Sequence, residues 1–176
     1  TGSKDNSIII YNKKTYKPEI TIKEHTNSVN SIIQLESNIL ASCSNDKTIK
    51  LYDINEKEYK TIQTLNYHIN GVKKIIELNN KKLVSCSSDK SIIFYYKDNN
   101  EYKKDYSIST VGFNGPIIQT KENEICFQEY ENLSAICFYD FLEKKIIKKL
   151  NNISITYSIY DSMLMISKDL LLIAGD

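Results

Sequence analysis

The feature that most constrains this chain is an internal repeat of about 43 residues. Asp46-Lys47-Thr48-Ile49-Lys50-Leu51-Tyr52-Asp53 returns as Asp89-Lys90-Ser91-Ile92-Ile93-Phe94-Tyr95-Tyr96. Upstream, Ser42-Cys43-Ser44 returns as Ser85-Cys86-Ser87, His25 as His68 and Val29 as Val72. A third copy, Asp5 to Asn12, opens the chain, and a degenerate fourth ends at Ala135 to Asp140. A unit of this size cannot bury its apolar face alone, so copies must stack on one another.

Inside each unit the signal is β: short runs rich in Ile, Val, Tyr and Phe, separated by Asn, Asp, Ser and Lys turns. The first whole unit predicts strands over 29–35, 39–44, 48–53 and 59–65. The second predicts 72–78, 82–87, 91–96 and 106–110, and the third 117–120, 124–128, 135–140 and 145–150. Four strands joined by tight turns make an antiparallel meander. The expected class is all-β.

The order of a His, an apolar strand, Ser-x-Ser-x-Asp-Lys-Thr/Ser-Ile, an aromatic and often Asp resembles the WD-repeat β-propeller family. The resemblance spans nearly the whole chain and is weakest in the third unit. It implies four-stranded blades: a half-blade over 4–24, whole blades over about 25–66, 67–110 and 111–152, and a half-blade over 153–176, with residues 1–3 set aside as a cloning remnant. It also implies a buried hydrogen-bond network in each blade. The network is carried over to His25, Ser42 or Ser44, Asp46 and Tyr52, and to His68, Ser85 or Ser87, Asp89 and Tyr95. Tyrosine stands where the family has tryptophan. Gly112 and Leu133 take the His and Asp places in the third unit, where no such network is expected. The half-units at the two ends are complementary. They could close within one chain, between two chains by self-association, or with further blades on additional sequence.

Composition removes several other readings. Lys+Arg 23 against Asp+Glu 22 leaves a net charge of +1, which argues against nucleic acid or an anionic membrane as partner. All the basic residues are lysine, so no guanidinium fork exists for bidentate capture of phosphate. Ile, Lys, Asn and Tyr make up almost half of the chain, which fits an A/T-rich coding bias. Cys43, Cys86, Cys126 and Cys137 have no metal-finger spacing and read as buried thiols of an intracellular, cytoplasmic or nuclear protein. A Ser-His-Asp triad is a tempting reading of the repeated residues. Its recurrence in two units suits a structural device instead, so no enzyme activity and no cofactor are expected. Lysine runs at turns and outer strands are expected to keep sheet edges soluble.

The resemblance points to a scaffold or adaptor that binds a protein or peptide partner through rim loops. The positions it nominates are Asn27, Asn45, Asn70, Ser88 and Phe113. A docking part of a larger enzyme, such as a ubiquitin ligase or kinase, and an architectural coat or cytoskeletal component are the alternatives.

Overall fold

The computed structural model describes the backbone of residues 2–36, 38–55, 58–130, 134–151, 163–167 and 170–173. Side chains are described for the same residues except 36, 113–115, 130, 134 and the last two segments. Among the described residues, sixteen strands lie in five separate antiparallel sheets, each running in sequence order. The first sheet pairs β1 (Ile8–Tyr11) with β2 (Pro18–Ile22). Three four-stranded sheets follow. Sheet one is β3 (Val29–Glu36), β4 (Ile39–Ser44), β5 (Ile49–Ile54) and β6 (Tyr59–Leu65). Sheet two is β7 (Val72–Glu77), β8 (Leu83–Ser87), β9 (Ser91–Asp98) and β10 (Glu101–Ser109). Sheet three is β11 (Phe113–Lys121), β12 (Glu124–Tyr130), β13 (Ser134–Asp140) and β14 (Lys145–Leu150). A last pair joins β15 (Met163–Ser167) to β16 (Leu170–Ile173). No helix of the described residues is long and apolar enough to cross a membrane.

The first strands of successive sheets are neighbours: β3 meets β7, β7 meets β11, and β11 meets β15. The three four-stranded sheets are therefore blades whose first strands lie side by side toward a shared centre. The core is not one mass but a series of layers between blades. Ile8, Ile20 and Ile22 pack with Val29 and Tyr52 between the opening pair and blade one. Leu51, Leu65, Ile75, Leu83 and Tyr95 fill the layer between blades one and two. Val84, Phe94, Ile117, Phe127 and Tyr139 fill the next. Alternation along a strand assigns residues to layers: Ile92 and Phe94 join one layer while Ile93 and Tyr95 join the other. The second strand of blade two is covered on both faces, so all five residues of β8 are buried, the serines at 85 and 87 included.

One boundary expectation is corrected. The structure carries β9 to Asp98 and starts β10 at Glu101, where the sequence suggests a loop from 97 to 105. Asn99 and Asn100 both adopt positive φ, at 47° and 68°, and close a two-residue hairpin whose twist matches the strands. Asparagine tolerates this left-handed backbone, so the polar run stays paired. Gly2 and Ser3 make backbone contacts to the opening strand and to blade one. Gly2 bridges to Ile8, and the Ser3 carbonyl accepts Val29 N–H at 3.0 Å.

Candidate interaction rim

In blades one and two the turn aspartate ties together two segments. Asp46 Oδ2 accepts from His25 Nδ1 at 2.7 Å and from Thr26 N–H at 3.0 Å. Its Oδ1 accepts from Thr48 N–H at 3.0 Å and Thr48 Oγ1–H at 2.6 Å. Asp89 repeats this with His68 at 2.8 Å, Ile69 N–H at 3.0 Å, and Ser91 N–H and Oγ–H at 2.9 and 2.6 Å. The carboxylate thus pins the loop arriving from the previous blade onto the turn between the second and third strands. The turn residues Lys47 and Lys90 carry positive φ, at 75° and 65°.

The imidazoles continue inward. His25 Nε2 lies 2.7 Å from Ser42 Oγ, and His68 Nε2 lies 2.7 Å from Ser85 Oγ. Because Nδ1–H is spent on the carboxylate, a neutral ring must accept at Nε2, so each serine donates there. Ser85 Oγ then accepts from the Tyr95 hydroxyl at 2.9 Å, whereas Ser42 Oγ and Tyr52 Oη stand 3.4 Å apart. Tyrosine therefore completes the chain in blade two and barely reaches in blade one. Ser44 and Ser87 are not links in this chain: Ser44 Oγ–H donates to Asn27 O and Ser87 Oγ–H to Asn70 O.

Burial, which opposes a charged ring, holds His25 and His68 below the ordinary 6.5, outweighing the pull of Asp46 and Asp89. Burial alone would raise the two aspartates, but hydrogen bonds from Thr48 and His25, and from Ser91 and His68, hold them below the usual 3.8. Burial also pushes the Cys86, Cys126 and Cys137 thiols up to about 12, and Cys43 higher still. All four cysteines are free. Such thiols are protonated and poor nucleophiles. Among the described residues no group of three His, Cys, Asp or Glu could hold a metal ion.

Blade three solves the same problem differently. Gly112 is buried at the His place, while Leu133 lies outside the described residues. Glu129 on β12, 4 % exposed, supplies the carboxylate instead. It accepts Val111 N–H at 3.3 Å, Cys137 Sγ–H at 3.4 Å and Lys149 Nζ at 2.6 Å. The incoming loop is again pinned, now to an outer-strand lysine. Sequence reading missed this substitution, because the carboxylate moved from the turn into the strand. On the strand pairing, Gln128 opposes Ile136 just as Cys43 opposes Ile49 and Cys86 opposes Ile92. Its buried side-chain amide has no hydrogen-bond partner at either atom.

The nominated rim positions gather where these pins lie. Asn27 and Asn70 are exposed, and their Oδ1 atoms accept Ser28 and Gly71 N–H. Asn45 is half-buried at the junction of blades one and two, taking Asn30 Nδ2 at 2.9 Å and Lys73 Nζ at 2.8 Å. A Cβ at residue 71 would stand 2.7 Å from Asn45 Oδ1 and 3.1 Å from Asn45 Cα, so a side chain there would displace the Asn45 amide. Ser88 N–H donates to Gly71 O. Phe113 opens β11, and its side chain lies outside the described residues. The rim's large apolar residues were not foreseen: Tyr67 is 44 %, Ile69 80 % and Val111 54 % exposed.

Residues 16–53 match the family model of the WD domain, G-beta repeat. Among solved structures, the chain is similar to the crystal structure of the WD40 beta propeller domain of Doa1. The TM-score is 0.70 at 18% sequence identity, covering 85% of this chain and 48% of that one. The chain thus spans about half the length of that structure, and at this identity the likeness is one of fold.

Proposed function

For a chain with a WD repeat and the blades of a WD40 propeller, we propose the role of a non-catalytic scaffold or adaptor that binds a protein partner through the pinned rim of blades one to three. Domains of this type generally serve as interaction platforms. The observation that carries the reading is the placement of exposed Tyr67, Ile69 and Val111 on loops fixed by buried carboxylates. Apolar side chains on a rigid frame lose little entropy on binding, which is what a contact surface needs. Protonated, buried thiols suit work in a reducing compartment of the cell. The test is affinity capture with Tyr67→Ser/Ile69→Ser beside Ile62→Ser on an outer strand. A partner lost with the rim variant and kept with the outer one supports the reading; equal capture by both overturns it.

A second reading, self-association by blade completion, is favoured by Tyr11. It is 50 % exposed, while its counterparts Tyr52, Tyr95 and Tyr139 are 0 %, 0 % and 3 % exposed against preceding blades. Light scattering on a sizing column over a dilution series decides it: a mass twice that of one chain supports it, and a monomer at every concentration removes it.

A further inference from the structure

The rim has a charge pattern of its own. The three carboxylates that pin its loops are consumed internally, while Glu24, which precedes His25 as Tyr67 precedes His68, is exposed and takes the Tyr59 hydroxyl at 3.4 Å. Asp46 and Asp89 each accept four hydrogen bonds, and Glu129 holds Val111 N–H and Lys149. Its lysines point the other way. Lys47 and Lys90 are exposed at the tips of equivalent turns, one blade apart. Lys90 Nζ reaches over the next loop to Val111 O at 3.3 Å. Between the two tips, Lys73 places its ammonium on Asn45 Oδ1, beside the backbone of Gly71.

Contacts make this one continuous surface. The turn at 45–48 touches residues 25–28 and 71–73, and the turn at 88–91 touches 68–71 and 110–112. Exposed Tyr67, Ile69 and Val111 stand among these segments. Cations at blade spacing, with apolar side chains among them, complement a chain in which carboxylates alternate with apolar residues. With no arginine in the protein, planar bidentate capture of phosphate is absent, which favours carboxylate over nucleic acid as the anion.

Resting on the scaffold reading above, we propose that the rim over blades one and two binds an acidic segment of a partner protein, with carboxylates against Lys47, Lys73 and Lys90 and an apolar side chain on Ile69 and Val111. Burial supports the role of Lys73. It lowers the ammonium's pKa below the ordinary 10.5, so a partner's carboxylate meets a cation already stripped of part of its water.

The experiment is fluorescence anisotropy of the whole chain with a labelled peptide of alternating glutamate and leucine, beside a lysine–leucine peptide and a labelled oligouridylate. The expected result is saturable binding of the acidic peptide alone, weakened by added salt. Lys47→Gln/Lys90→Gln and Ile69→Ser are each expected to weaken it about tenfold. Lys145→Gln on the outer strand is expected to leave it unchanged. The rim-tip substitutions lie on exposed side chains, so the fold is retained, and a thermal melt verifies this. Absence of binding, binding insensitive to the rim substitutions, or equal binding of the oligouridylate overturns the proposal. If cellular capture still depends on Tyr67 and Ile69 in that event, the scaffold reading survives and only its acidic partner falls.

Discussion

Blades one and two hold their incoming loops with a turn aspartate and a buried histidine; blade three holds its own with Glu129 and Lys149. The geometric task is the same, namely fixing a loop that carries no strand pairing of its own. The difference lies in how deep the fastening runs. In blades one and two it passes inward to a buried serine, and in blade two on to a tyrosine on the third strand. In blade three it runs outward to a lysine whose side chain is 36% exposed. A propeller blade therefore needs a carboxylate at this corner more than it needs any particular residue around it.

The sharpest way to break that comparison is to remove both kinds of carboxylate. Asp89→Ala leaves His68, Ile69 N–H and two Ser91 donors without their acceptor, and is expected to cost about 3 kcal/mol or more. Glu129→Ala removes fewer and longer bonds and a partly solvated ion pair, and is expected to cost about 2 kcal/mol. Urea unfolding measures both. A negligible loss at Glu129 would show that blade three has no pin.

Blade three also offers a gain. Gln128 occupies the place of Cys43 and Cys86 yet buries an amide with neither atom paired. Gln128→Leu keeps the volume and removes the unpaired dipole, so it is expected to stabilise by about 1 kcal/mol. A loss of stability would mean the amide is satisfied in solution, for example by buried water.

Legibility divides along the same line. The strand order of the three blades was readable because a repeat makes every unit a copy of its neighbours, while which run is the inner and which the outer strand came from the WD-repeat resemblance and not from the period. The His25, Ser42 and Asp46 set was legible only through that resemblance, and the coordinates give Ser42 the inner link and Ser44 a bond to Asn27 O. Glu129 was not legible, since a glutamate within a strand looks like any solvent-facing charge until its neighbours are known. The β9–β10 hairpin was misjudged because charge was read as loop, while two asparagines able to take positive φ decided otherwise.

A smaller test separates the first two blades. Tyr95 meets Ser85 at 2.9 Å, and Tyr52 stands 3.4 Å from Ser42. Tyr95→Phe is expected to cost about 1 kcal/mol and Tyr52→Phe a few tenths, because a bond at the longer separation contributes little. Equal costs would show that the blade-one network tightens in solution.

The gentlest probe is acid, and it should separate the blades without any substitution. His25 and His68 have pKa values held below 6.5 by burial, so the folded chain resists protons that the unfolded chain accepts. Stability is then complete above the unfolded value and falls as the pH drops below it. Asp46 and Asp89, held below 3.8, add a second loss at lower pH, as their folded forms finally protonate. Blade three has no histidine in its pin. Amide hydrogen exchange between about pH 7 and about pH 5 should therefore show protection weakening first in β3 to β10, relative to β11 to β14, once intrinsic rates are corrected. His25→Gln/His68→Gln should abolish that ordering. Loosening that begins in β11 to β14 would show that the imidazoles do not set the acid response.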